Sequence, residues 1–261
     1  MLLAINANNT NTVFSVWEGD QLKGAWRAAT DAKRTADEYV VWLDHLLNLE
    51  GLKRRSIDAS ILASVVPEAN FNLVTLCRRY CGSEPLVVGE PGVALGAKAL
   101  VDRPEEVGAD RLVNTVAAHD RYKGPLIVVD FGTATTFDVV DKEGNYCGGV
   151  IAPGINLSLT ALQLAAAKLP SVRIRRSDHV IGKNTVDCMQ SGIFWGYVGL
   201  VEGLVQRIKA EFGGPPMHVI ATGGLAPVFD GVTSVIEKVD ANLTLWGLVL
   251  ISHRNRGTAR A

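Results

Sequence analysis

The opening of the chain recurs in its second half. Placing Asn6 on Asp130, an offset of 124 residues, lays the apolar run 2–5 on 126–129 and the first polar turn on Phe131-Gly132-Thr133-Ala134-Thr135. The same offset lays 12–16 on 136–140, brings the turns at 18–21 and 143–145 together and sets Gly24 on Gly148. Identities are few, but the order of apolar runs and turns is kept. Further on, Ile61-Leu62-Ala63-Ser64-Val65-Val66-Pro67 has a counterpart in His218-Val219-Ile220-Ala221-Thr222-Gly223-Gly224, a buried strand running into a small-residue turn. The reading is a duplicated α/β domain, residues 1–118 and 119–261, with the boundary within 119–124 and a cleft between the halves.

Within the first copy, three short β-rich runs end before Thr35, after which Tyr39, Val40, Leu43, Leu46 and Leu47 keep helical spacing. Thr35 with Glu38 three residues on predicts a capping box. A buried strand over 61–66, a helix over 71–80 and a strand over 86–88 follow, and this alternation defines an α/β domain.

Of the 261 residues 48% are hydrophobic, enough for a core in each half. A net charge of -1 without any block of Lys or Arg argues against nucleic acid or an anionic membrane as a partner. The tract His253-Arg254-Asn255-Arg256 reads as a frayed tail. No apolar stretch approaches the ~18 residues of a membrane span, so a cytoplasmic protein is expected. Cys77, Cys81, Cys147 and Cys188 are too scattered for a disulfide framework and read as small buried hydrophobes.

The chemistry is expected at the two turns. A polar or glycine-containing turn between strands exposes backbone N–H groups to an anion, and two such turns could hold a polyphosphate. In Asp130-Phe131-Gly132-Thr133-Ala134-Thr135-Thr136-Phe137-Asp138, Asp130 offers a carboxylate at a strand end for a cation, Gly132 allows close approach, and Thr133 offers a hydroxyl to a phosphate oxygen. Asp138 reads as a solvated strand position. A helical run over 112–118 puts residues 108–111 at a helix N-terminus, where an anion or acceptor meets free N–H groups.

These hairpins resemble the phosphate hairpins of the superfamily of sugar kinases, actin and Hsp70. Val107-Gly108-Ala109-Asp110-Arg111-Leu112-Val113-Asn114 is similar to the Gly-Ala-Asp-Arg signature of type III pantothenate kinases. Ser64-Val65-Val66-Pro67, the glycine-rich stretch 148–154, Ile181-Gly182-Lys183-Asn184-Thr185, Gln190-Ser191-Gly192, Thr222-Gly223-Gly224 and the segment 243–248 resemble that family too, in its order. The resemblance implies two duplicated ribonuclease H-like, actin-like ATPase domains with a central cleft. It implies phosphorylation of pantothenate by ATP with Mg²⁺, the first step of coenzyme A biosynthesis, in a homodimer. By the family pattern Asp110 is the general base, and Gly108, Ala109, Arg111 and Thr185 join it in binding pantothenate. Asn6, Ala7, Asn8, Asn9, Thr10, Asn11, Thr12 and Val13 form the first nucleotide loop, Thr133 touches ATP, and Gly223 and Gly224 border the adenine. Asp130 lies by a monovalent cation, K⁺ or NH₄⁺.

Two positions depart from the family pattern. Where its first loop reads Asp-x-Gly-Asn-Thr, this chain has Asn6-Ala7-Asn8-Asn9-Thr10, losing a carboxylate near Mg²⁺ and a glycine that Asn8 replaces through its tolerance of positive φ. Val101 stands where many members have a substrate-side Tyr. The Asn6 departure leaves a non-catalytic nucleotide-binding regulator as the alternative, with a kinase of another small alcohol as a third reading.

Overall fold

The computed structural model describes residues 1–165 and 170–256. By their internal contacts they form two compact units, Met1–Ala117 joined by the segment from Leu243 onward, and Ala118–Asn242.

In the first unit β1 (Leu2–Ala7), β2 (Asn11–Glu18), β3 (Gln21–Ala29), β4 (Ala59–Ser64) and β5 (Pro85–Val87) make one sheet of order β3-β2-β1-β4-β5. β1 runs antiparallel to β2 and parallel to β4, and its side chains are buried on both faces, as expected of a central strand. On one face lies α1 (Ala36–Leu49), started by the expected Thr35–Glu38 capping box, which buries Tyr39, Val40, Leu43 and Leu47 against Ile5, Phe14 and Leu62. Beside it α2 (Pro67–Thr75) starts at a proline in its first turn and continues as a wider turn over Leu76–Tyr80. The opposite face takes Val113 and Val116 of α3 (Ala109–Tyr122) and Leu245, Leu248 and Val249 of the last helix. Each fully buried large apolar side chain here contributes about 1.5–3 kcal/mol.

The second unit repeats this plan: β6 (Leu126–Phe131), β7 (Ala134–Val140), β8 (Tyr146–Pro153), β9 (His218–Thr222) and β10 (Lys238–Val239) have the order β10-β9-β6-β7-β8. Between β8 and β9 come α4 (Ile155–Ala165) and the long α5 (Thr185–Phe212). α5 lays Phe194, Tyr197, Val198 and Val201 on Ile127, Val129 and Phe131, and Phe229 stacks on Phe131 with centroids 4.6 Å apart.

Strand registers refine the duplication. Leu2 pairs with Trp17 and Leu126 with Val140, so β2 and β7 are offset by 123, and the second turn is one residue shorter than the first. Leu2 also pairs with Ala59 and Leu126 with His218, which makes Ile61 equivalent to Ile220 and Ser64 to Gly223, two positions from the alignment read in the sequence.

Four expectations are corrected. The C-terminal tract is not frayed: His253–Arg256 is the last turn of α6 (Leu243–Arg256), and buried Asn255 exchanges two hydrogen bonds with the backbone of Ala94, 2.9 and 3.0 Å. That helix is grouped with the first unit, where 119–261 had been expected to run as one half, and the division falls inside α3, between Ala117 and Ala118. Asp138 is fully buried rather than solvated, with Thr136 Oγ1 donating to it at 3.2 Å. Cys77 and Cys81 are core residues whose thiols burial pushes up to about 12 and about 11, but Cys188 is exposed.

Candidate functional site

The first turn sits at the C-terminal end of β1. Asn6 and Ala7 end that strand, residues 8–10 make the turn, and Asn11, Thr12 and Val13 open β2. Asn8 N–H donates to Asn11 O at 3.0 Å, and the turn is reached without positive φ, so the conformational tolerance of Asn8 is not used. Asn9 and Thr10 are exposed, while Asn6 keeps only 5% of its surface. The Oδ1 atoms of Asn6 and Asn8 are both buried and accept no hydrogen bond within the protein. An orphaned buried acceptor costs about 1–3 kcal/mol, which a ligand carrying donors or a cation would recover.

Next to this turn the chain brings in the start of α3. Val65 N–H donates to Ala7 O at 3.0 Å, and a Cβ built on Gly108 would lie 3.7 Å from the Val65 side chain, so residues 108–111 adjoin the ends of β1 and β4. Asp110 lies in the first turn of α3, where its Oδ1 accepts from Arg111 N–H at 2.8 Å. Burial pushes the Asp110 carboxyl above its ordinary value, while that N–H and the Arg111 charge pull the other way. A carboxylate so placed holds a proton more readily than one in water, as a general base for an alcohol requires.

In the second unit Asp130 is the penultimate residue of β6, and Gly132 and Thr133 form the exposed turn to β7. Gly223 closes on it from behind. With φ +93, its Cβ position lies 2.3 Å from Asp130 Oδ1 and 2.7 Å from Phe131 N, so a side chain has no room. Gly224 faces open space, with nothing within 4 Å of its Cβ position. Thr185 belongs to different surroundings: it is the exposed first residue of α5, capped by Asn184, whose Oδ1 accepts from Asp187 N–H at 3.0 Å.

The sequence reading placed Thr12, Thr135 and Gly154 within motifs without giving Thr12 an anchoring role or Thr135 and Gly154 any role, and passed over Thr30 and Tyr197 altogether. Gly154 packs on the second turn, donating its N–H to Thr133 O at 3.1 Å, with its Cβ position 2.3 Å from the same oxygen. Its signal was in the chain: Gly154 follows the third strand of its unit as Thr30 follows the third strand of the first.

Among the described residues no helix is long and apolar enough to cross a membrane, and no group of three or more His, Cys, Asp or Glu could hold a metal by itself.

The profile of the family described as type III pantothenate kinase matches residues 2–207. A type III pantothenate kinase of Paramagnetospirillum magneticum is 66% identical over 260 residues, covering 100% of each chain. Another, from Rhodospirillum rubrum, is 64% identical over 256 residues, 98% of this chain and 99% of that one. Among solved structures, a candidate Baf family transcriptional activator from Campylobacter jejuni superposes with a TM-score of 0.62 at 17% identity, covering 98% and 99% of the two chains. A ROK hexokinase from Thermus thermophilus gives 0.52 at 13% identity over 98% and 99%. At such identities the structural likeness establishes the fold alone, that of actin-like sugar kinases built from two duplicated α/β domains.

Proposed function

The chain belongs to the type III pantothenate kinase family and phosphorylates pantothenate with ATP, and we propose that its two hairpin turns hold the nucleotide while Asp110 takes the proton of the acceptor hydroxyl. The full-length likeness to pantothenate kinases carries the activity. The roles of the residues rest on the local geometry.

Phosphoryl transfer to an alcohol needs the hydroxyl oxygen in line with the γ-phosphorus and a carboxylate near the hydroxyl proton. The raised carboxyl of Asp110 at the start of α3 supports that assignment. Gly108, Ala109 and Arg111 would bind pantothenate beside it, Arg111 through charge-assisted hydrogen bonds, and Thr185 would meet the same substrate. Backbone N–H groups of residues 6–13 and the turn carrying Thr133 would take phosphate oxygens, with Gly223 and Gly224 towards the adenine.

A divalent metal comes with the ATP and neutralises phosphate charge. The donor set fits it: the orphaned Oδ1 atoms of Asn6 and Asn8 accept hydrogen bonds and do not donate them, which suits the water shell of Mg²⁺ better than a phosphate oxygen. Asp130 would give its carboxylate to a monovalent cation, K⁺ or NH₄⁺. A homodimer is supported by exposed apolar side chains in the second unit, Ile151 at 65%, Leu164 at 82% and Ile181 at 75%. The place of the reaction in coenzyme A synthesis supports a cytoplasmic location.

The test is incubation of the purified chain with ATP, Mg²⁺ and pantothenate, following ADP release and the phosphorylated product by mass spectrometry, with other small alcohols in parallel. Pantothenate-dependent ADP release is expected. ATP binding without product would turn the reading towards a regulator, and faster turnover of another alcohol would change the substrate.

A further inference from the structure

The two turns are fastened by the same backbone bonds. In the first, Asn8 N–H meets Asn11 O and Thr30 N–H meets Thr10 O, both at 3.0 Å. In the second, Gly132 N–H meets Ala134 O at 3.0 Å and Gly154 N–H meets Thr133 O at 3.1 Å. Register makes Thr12, opposite Ala7, equivalent to Thr135, opposite Phe131, and both threonines are buried.

Each of these threonines begins a hydroxyl relay. The Thr30 hydroxyl donates to Asn8 O at 2.6 Å, so in the 2.9 Å contact between Thr12 Oγ1 and Thr30 Oγ1 the hydrogen comes from Thr12. The Tyr197 hydroxyl shares a hydrogen with Thr135 Oγ1 and reaches Pro153 O at 3.4 Å. Both halves therefore run from threonine to a second hydroxyl to a backbone carbonyl beside the turn.

The second hydroxyl differs for a steric reason. Thr30 follows β3, and its equivalent after β8 is Gly154, whose Cβ position lies 2.3 Å from Thr133 O and 2.6 Å from Gly132 O. The shorter second turn leaves no space for a side chain there, and the hydroxyl arrives from α5 instead.

We propose that Tyr197 is a positioning residue for the nucleotide: its hydroxyl, bridging Thr135 and Pro153, sets the conformation in which residues 132–134 meet ATP. The bridge also ties that turn to α5, the helix that begins at Thr185. The proposal rests on the reading that the Thr133 turn binds nucleotide. Packing and positioning are separable in this side chain. The ring is held by Phe131 and Phe229, centroids 6.4 and 5.6 Å away, so Tyr197→Phe keeps the packing and deletes the relay.

The experiment measures ATP dissociation by calorimetry, KM for each substrate and Tm for wild type, Tyr197→Phe, Thr135→Val, the double variant and Thr135→Ser. Tyr197→Phe and Thr135→Val are each expected to weaken ATP binding roughly tenfold and to leave KM for pantothenate unchanged. The double variant should be no weaker than either single one, because both break the same relay. Thr135→Ser, which keeps the hydroxyl, should restore ATP affinity. A Tyr197→Phe variant with lowered Tm but wild-type ATP affinity overturns the proposal and leaves the hydroxyl a structural role. Wild-type protein that fails to bind ATP removes the nucleotide reading itself, and the proposal with it.

Discussion

The Asp110 carboxylate folds back over Gly108, its Oδ1 lying 2.7 Å from the point a Cβ on that glycine would occupy. The glycine of the Gly-Ala-Asp-Arg run therefore leaves room for this rotamer of the aspartate two residues on, and its φ is not positive. Gly108→Ala forces that carboxylate to rotate away. A displacement of about 1 Å at a reacting group costs on the order of 10²-fold in rate, so kcat should fall by that factor while ATP affinity, read by calorimetry, holds. Normal turnover in this variant would mean that the carboxylate position is not used in the reaction.

Asp110→Asn separates catalysis from stability. Turnover should fall by roughly 10² to 10⁴. Burial raises the folded-state pKa of Asp110 above that of the unfolded chain. Its contribution to stability is then fully present below the unfolded value and is lost as pH rises through the folded one. At neutral pH the ionised group is a cost that asparagine removes, so the variant should melt higher than wild type near pH 7, the gap closing towards about pH 4. A variant that melts lower at every pH would make the carboxylate a structural partner instead.

The fold was legible because strands and turns recur by residue type, and the capping box at Thr35 and Glu38 marks a helix start by chemistry alone. The one-residue difference between the turns was not, since apolar runs tolerate a slip that hydrogen-bond register does not. Asp138 misled because strand alternation predicts which face a residue takes but not whether that face is covered. The turns and the start of α3 carry polar signals in sequence, whereas Tyr197 does not: a tyrosine at an apolar helix position reads as core, and only the path of α5 past the second turn gives its hydroxyl a role.

Gly223 and Gly224 adjoin in sequence but answer to different constraints. Gly223→Ala puts a methyl against Asp130 at φ +93 and should cost roughly 1–3 kcal/mol or more in denaturant unfolding. Where Asp130 holds the proposed monovalent cation, the same change should also blunt a dependence of turnover on K⁺, through displacement of the carboxylate. Gly224→Ala meets open space and should stay within about 0.5 kcal/mol of wild type. Equal losses at the two positions would contradict the packing of Gly223 on Asp130.

In the proposed nucleotide site, Asn6 is the residue that tests how the first turn meets its ligand. Its Oδ1 and that of Asn8 are buried acceptors lacking a donor, so the protein without nucleotide bears a cost that a hydrated cation relieves and a phosphate oxygen, itself an acceptor, does not. Asn6→Ala should therefore raise the Tm of the free protein while raising the Mg²⁺ concentration needed for half-maximal rate. Asn6→Asp should act the other way on both. A carboxylate in a site with 5% exposure is costly when ionised and lowers the Tm at neutral pH, but it attracts a hard cation better than an amide, so half-saturation by Mg²⁺ should move to lower concentration. Direct titration of Mn²⁺ onto the nucleotide-bound protein, followed by electron paramagnetic resonance, reads the same order of affinities without relying on turnover. If Asn6→Asp instead leaves the metal dependence unmoved and weakens ATP binding, the amide faces phosphate through its N–H₂ group, and the cation has to be sought elsewhere.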